Sequence, residues 1–232
     1  HTATLLEDGR VLVVTGCCPE GELVVPHRSA EVWDPETRRF YPAGTLRPRR
    51  EFHAAVPLHD GRVLIVGGST EDSSIRWTEV WDPETEKFHR AGRLAKARDG
   101  GHTATLLPSG KVLVIGGFNV DRDVARAELW RPRSGTYRSA GSLARARVGH
   151  TATLLSDGRV LVIGGGPTFG RGTAVAEIWD PATRSFRPAG ALAMVRGDHD
   201  AMLLPDGRVL VIGGVVADGP APLAEIWEPT EP

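Results

Sequence analysis

"GHTATLLSDGRVLVIGGG" runs from Gly149 to Gly166 and decides the fold. It packs a histidine, an Asp-Gly pair, an apolar run and a glycine cluster into eighteen residues. Taken alone, it suggests a ligand histidine beside a phosphate cradle. It does not stand alone. "HTATLL" occurs at 1–6, 102–107 and 150–155, with weaker copies "HAAVPL" at 53–58 and "HDAMLL" at 199–204. The histidines His1, His53, His102, His150 and His199 are spaced 52, 49, 48 and 49. A second marker keeps step: "EVWDP" at 31–35 and 79–83, "ELWRP" at 128–132, "EIWDP" at 177–181 and "EIWEP" at 225–229. Its tryptophans, Trp33, Trp81, Trp130, Trp179 and Trp227, are spaced 48, 49, 49 and 48. Two independent markers with one period define a repeat.

Each unit reads as four short strands. "HTATLL" is the first. An Asp-Gly turn follows (Asp8-Gly9, Asp60-Gly61, Asp157-Gly158, Asp206-Gly207), with Ser109-Gly110 in the third copy. Such pairs between apolar runs mark hairpins, because the turn needs positive φ. The second strand, of the type "RVLVIGG", is a continuous β-branched run, which predicts burial on both faces. After a variable loop comes "AEIW", closed by Asp-Pro, where proline removes a ladder donor. The fourth strand carries Phe40, Phe88, Tyr137 or Phe186 and ends in "AG". A four-stranded sheet of this size cannot cover both faces alone, so the units must stack. Radial stacking gives an all-β fold, a β-propeller of four-stranded blades. The repeats fall at about 1–52, 53–101, 102–149, 150–198 and 199–232 of a single domain, and the last lacks its outer strand. The absent methionine and the missing residues before His1 favour a fragment of a larger propeller over a five-bladed ring with one incomplete blade.

The order Arg-x-x-His, apolar strand, Gly-Gly, aromatic third strand and aromatic fourth strand resembles the kelch repeat over essentially the whole chain. The units are similar to those of bacterial kelch proteins and of the galactose-oxidase-like propeller. Two positions depart from the pattern: Thr15-Gly16 replaces Gly-Gly, and Arg131 stands where other units have an acid. The resemblance implies a non-catalytic binding module that presents loops on one face to a protein or glycan. It also implies a secreted or surface location in bacteria over a cytoplasmic one. The alternative it carries is the propeller part of a carbohydrate-active or copper-radical enzyme, with catalytic residues partly outside this segment. Galactose-oxidase-like copper sites use tyrosines and histidines; here Tyr137 is in phase with the fourth-strand aromatics and Tyr41 has no histidine in a matching motif.

Composition sets outer bounds. Apolar content of 41% and charged content of 25% suit a globular domain, and a net charge of −1 gives no field to gather nucleic acid. No apolar run approaches the roughly 20 residues of a membrane span. The adjacent Cys17 and Cys18 cannot join distant segments; they are two thiols or a vicinal disulfide. Histidines recurring in every unit read as scaffold, so no metal and no cofactor is expected. "GGGPTFGRGT" at 164–173 lacks the lysine and the following helix of a phosphate loop. Arg50, Arg98, Arg147 and Arg196 precede the histidines, and Glu31, Glu79, Glu128, Glu177 and Glu225 precede the tryptophans. Opposite charges in one phase predict repeated buried pairs.

Candidate binding residues are those that break the phase. Arg47, Arg49, Lys96 and Arg145 lie in linkers between repeats. By resemblance to kelch domains, these linkers share a face with the loops after Gly-Gly. Those loops (Cys17–Ser29, Ser69–Thr78, Phe118–Arg126, Gly166–Val175, Val215–Leu223) differ most among repeats, which marks positions freed from scaffold duty. Trp77, Phe118 and Phe169 are aromatics outside the phase, read either as contact anchors or as local packing. Asp121 and Asp123 alternate with Asn119, as in calcium loops, but Val124 and Trp130 replace the glycine and glutamate such a loop needs.

Overall fold

The computed structural model describes residues 1–14, 29–70, 73–168, 172–216, 219–220 and 224–229. Among them there is no helix, and hence none long and apolar enough to cross a membrane. The strands form antiparallel sheets in chain order. The first sheet holds β1 (Thr2–Leu5), β2 (Val11–Val14), β3 (Ser29–Asp34) and β4 (Arg39–Thr45). The second holds β5 (Ala54–Pro57), β6 (Val63–Val66), β7 (Trp77–Asp82) and β8 (Lys87–Arg93). The third holds β9 (Gly100–Leu106), β10 (Val112–Phe118), β11 (Arg126–Arg131) and β12 (Thr136–Ser142). The fourth holds β13 (Thr151–Leu154), β14 (Val160–Ile163), β15 (Val175–Asp180) and β16 (Ser185–Ala191). The fifth has three strands, β17 (Asp200–Leu203), β18 (Val209–Ile212) and β21 (Glu225–Trp227), and β19 (Val215–Val216) pairs with β20 (Gly219–Pro220) in its loop. The described residues gather into two compact units: 1–100 with 131–137, and 101–130 with 138–232.

The hairpin between the first two strands is set by its glycine. The Gly9 N–H donates to the Leu6 carbonyl (3.1 Å), and the Leu6 N–H donates to the Arg10 carbonyl (2.8 Å). Only the glycine takes positive φ (86°), so this is a three-residue turn with a left-handed bulge residue rather than a two-residue mirror-image turn. Asp8 accepts the Arg10 N–H and its Nε (3.0 and 2.8 Å). The turn before the fourth strand ends in a left-handed residue too: Arg38, Glu86, Gly135 or Arg184. In the first, second and fourth sheets an aspartate (Asp34, Asp82, Asp180) accepts the turn's backbone N–H groups. The third sheet has Arg131 there and lacks that cap, and it is the sheet with glycine at the left-handed position.

Within each unit, consecutive sheets are stapled by the phased residues. Within the first unit, Thr2 Oγ1 bonds His53 Nε2 (3.0 Å), and Trp81 Nε1 donates to the Ala43 carbonyl (2.9 Å). Within the second unit, Thr103 bonds His150 (3.1 Å) and Thr151 bonds His199 (3.0 Å). There Trp179 donates to Ala140 (2.9 Å) and Trp227 to Ala189 (2.8 Å). Each of these three buried indoles thus finds an acceptor on the outer strand of the preceding sheet, as a buried Trp N–H must. The paired glycines add a third staple. The N–H groups of Gly68, Gly117 and Gly165 donate to the carbonyls of Arg98, Arg147 and Arg196 at 2.8 to 2.9 Å. Apolar side chains fill the space between: Leu12, Val14 and Val32 with Val63, Ile65 and Trp81, and likewise Leu161, Ile163 and Ile178 with Val209, Val211 and Trp227.

The expected burial of every second strand holds for β6, β10 and β14, whose apolar runs are covered on both faces. It fails for β2 and β18. Val11 and Val13 are half-buried, and Ile212 is exposed, although the residue types match those of β14. Composition supplies a strand fit for two packed faces, and only the neighbours supply the second face. The same holds for Trp33, which is half-buried while the other four phased tryptophans are buried. Tyr137 is half-buried too.

His199 gives this stapling a pH dependence. Burial, then the Arg196 charge, push its imidazole below the ordinary value, against the pull of Asp198 and Asp200. The folded state therefore holds His199 neutral at a pH where the unfolded chain, titrating near about 6.5, takes a proton. Below that value the unfolded state binds more protons, and stability falls with pH. Urea midpoints should drop between about pH 7 and pH 5, and His199→Gln should flatten that slope. A slope unchanged by the substitution would assign the loss to other groups.

Candidate functional site

In each sheet the first strand begins, the second ends, the third begins and the fourth ends at one common end. Linkers and post-glycine loops therefore meet there, and the hydrogen bonds show it. Glu51 and Ser69 exchange N–H···O bonds at 2.9 and 3.0 Å, as do Val148 and Gly166 at 2.7 and 3.0 Å. Gly197 and Val215 do the same at 3.1 and 2.8 Å.

Buried arginines clamp the base of three of these loops. Arg50 Nη1 donates to the carbonyls of Gly67 (3.2 Å) and Trp77 (2.8 Å), one at each foot of the loop between β6 and β7. Its Nη2 reaches Glu79 Oε2 at 2.6 Å. Arg147 spans Gly164 and Val175 in the same way and pairs with Glu177 at 2.5 Å. Arg196 bonds Gly213 and pairs with Glu225 at 2.6 Å. The glutamates' second oxygens accept backbone N–H groups of the linkers, from Arg47 (3.2 Å), Ala144 (3.0 Å) and Ala193 (2.5 Å). Burial pushes the Glu79 carboxyl up, and the Arg50 charge opposes it. These charges are consumed by the scaffold, which frees the loop sequence above the clamp.

Of the phase-breaking residues, Arg47, Lys96 and Arg145 are exposed in linkers, and Arg49 is half-buried. Trp77 opens β7 and is 36% exposed. The guanidinium carbons of Arg90 and Arg93 lie 4.5 and 5.1 Å from its ring centroid. Phe118 closes β10, is half-buried, and bridges to Asp123. Asn119 Oδ1 accepts the N–H groups of Asp121 (3.0 Å) and Arg122 (3.1 Å), so it shapes the loop. Asp123 accepts the Thr168 N–H (3.0 Å) and the Thr168 hydroxyl, tying two neighbouring loops. Asp121 is exposed. Phe169 lies outside the described residues, as do Cys17, Cys18 and Thr15-Gly16. Among the described residues no three His, Cys, Asp or Glu side chains gather as a metal site requires.

Sequence reasoning missed three residues here. Phe52 is 68% exposed and has φ of 54°. Its counterparts before the phased histidines are Gly101, Gly149 and Asp198, types that accept left-handed backbone. Arg90 and Arg93 sit in the fourth strand, outside the loops that drew attention. In all three cases the available signal was a departure at a fixed phase position rather than in a loop.

A family model described as the kelch motif matches residues 52–94. No curated protein matches the sequence. Among solved structures, the chain is similar to the one titled "Structure of YjhT", with a TM-score of 0.73 and 14% identity. The match covers 97% of this chain and 79% of that one. At that identity the likeness speaks for the fold alone.

Proposed function

We propose that the chain, a β-propeller of kelch type, is a binding module that presents its linkers and post-glycine loops to a protein partner. The observation that carries this reading is Phe52. A bulky L-residue in the left-handed region costs about 1–2 kcal/mol, and an exposed phenyl ring gains nothing from burial. Two local penalties at one residue, on the end where the loops meet, support a contact role. Exposed Arg47, Lys96 and Trp77 extend that surface, and the Arg–Glu clamps below hold it rigid.

The reading makes stability and binding move in opposite directions. Phe52→Gly removes the left-handed strain, offset in part by the roughly 0.5–1 kcal/mol that glycine's freedom costs. The urea midpoint should stay level or rise. Side-by-side affinity capture with the unsubstituted protein and Phe52→Gly, read by quantitative mass spectrometry, should show partner recovery drop. A capture set unchanged by Phe52→Gly sinks the reading. Binding to a glycan array with no protein captured would move it to a carbohydrate ligand.

A further inference from the structure

Outer strand β8 differs from its counterparts. Lys87, His89, Arg90 and Arg93 are all exposed on its seven residues, and the strand contains no acid. The strands β4, β12 and β16 carry one basic residue each: Arg39, Arg138 and Arg187. The difference is concentrated around Trp77. In register, Trp77 pairs with Arg93, and Glu79 with Arg90. The same positions in the first sheet are Ser29 with Thr45, and Glu31 with Pro42. In the fourth sheet they are Val175 with Ala191, and Glu177 with Pro188.

A bulge common to these three sheets explains how the two arginines meet. One residue of β7, Thr78, lies opposite two of β8, Ala91 and Gly92, so Arg90 and Arg93, which strict alternation would send to opposite faces, both reach the Trp77 ring. Their guanidiniums rest on the indole, which limits their rotamers. Neither is in an ion pair among the described residues. Glu79, the carboxylate nearest in register, is taken by Arg50. The Arg90 charge reaches Glu79 only as a weaker second to Arg50, so two forks held by an aromatic ring remain to take further carboxylates. Between them, the β8 backbone at Ala91 and Gly92 packs against Gly135, so the side chains of Arg90 and Arg93 are what the strand offers to a partner.

We infer that Trp77, Arg90 and Arg93 dock an extended acidic segment of a partner protein. The segment's carboxylates pair with Arg90 and Arg93, which the Trp77 ring holds side by side. A net charge of −1 leaves no broad field for nucleic acid, so recognition is confined to this strip. The inference rests on the binding-module reading and names the partner's chemistry.

The test uses the purified chain and a fluorescein-labelled peptide of alternating Glu and Val, with its Glu→Gln counterpart as control. Fluorescence anisotropy should show the Glu peptide binding and the Gln peptide failing to bind. The double substitution Arg90→Ser with Arg93→Ser should weaken binding about tenfold or more, as loss of charged hydrogen bonds does. Both positions are exposed, and thermal unfolding of the variant confirms that it folds. Arg187→Ser, on the outer strand of another sheet, should leave peptide affinity unchanged, while partner capture with Phe52→Gly reads the module reading separately, so the two failures are distinguishable. Three results would each overturn it: no binding of the Glu peptide, equal binding of the Gln peptide, or full affinity in the double variant. Competition by a single-stranded oligonucleotide as effective as unlabelled peptide would also overturn it, in favour of a general polyanion site.

Discussion

Glu177→Ala is expected to destabilise the protein by about 3–5 kcal/mol, the range for stranding a buried charge. Arg147 and Glu177 side chains are 3% and 5% exposed, with Nη2 and Oε1 2.5 Å apart. Burial pushes the Arg147 guanidinium down, and the Glu177 charge holds it up. Removing the carboxylate leaves a guanidinium with only the Gly164 and Val175 carbonyls, and it orphans the Ala144 N–H. The cost comes from the stranded charge and not from a large net value of the pair. Replacing both partners, Arg147→Met with Glu177→Leu, should therefore recover most of the loss. The exposed pair Asp157–Arg159 gives the contrast. The Arg159 hydrogen bond holds the Asp157 carboxyl below its ordinary value, but the pair stands in solvent. Asp157→Asn should cost under about 1 kcal/mol. Urea denaturation of the three variants decides the matter: a double variant as unstable as Glu177→Ala would mean the pair's own attraction matters most.

That pairing was legible in the sequence because both charges recur with the period. So were the hairpins, the stacking and the interblade histidine bond, since a residue repeated in every unit must serve the contact every unit makes. What the period cannot carry is whether a neighbour is present. Val11 in β2 and Val160 in β14 occupy one phase position; one is half-buried and the other fully buried. The candidate site was legible in part. Trp77 stood out as an unphased aromatic, but the arginines that cover it sit in a strand, and a bulge brings them together. Strict alternation, the rule that serves strands elsewhere, assigns Arg90 and Arg93 to opposite faces. Phe52 was hidden for a related reason: its backbone conformation is a property of the linker path, and only its glycine and aspartate counterparts hint at it.

Gly164→Ala and Gly213→Ala should differ sharply although the sequence presents them identically, each as the first glycine after Val-Ile. Their backbones agree as well, with φ of 63° and 67°. Alanine in that region costs about 1–2 kcal/mol at either site, partly offset by the roughly 0.4–1 kcal/mol gained from a less flexible unfolded chain. The surroundings part company. A Cβ on Gly164 would lie 2.5 Å from the Arg196 carbonyl oxygen and 2.7 Å from His199 Cε1, while one on Gly213 meets nothing within 4 Å. The clash falls on backbone and on a ring already bonded to Thr151, so neither can yield cheaply. Moving the Arg196 carbonyl also strains the Gly165 N–H bond (2.9 Å) and the residue that clamps the last loop through Glu225. Gly164→Ala should therefore exceed Gly213→Ala by at least the roughly 1–3 kcal/mol of an overpacked interior. Because the φ cost is common to both, the difference between their denaturation midpoints isolates the contact between the fourth and fifth sheets. Equal midpoints would mean that the paired glycines serve only the turn, and that the sheets do not approach as closely as the hydrogen bonds to the arginine carbonyls require.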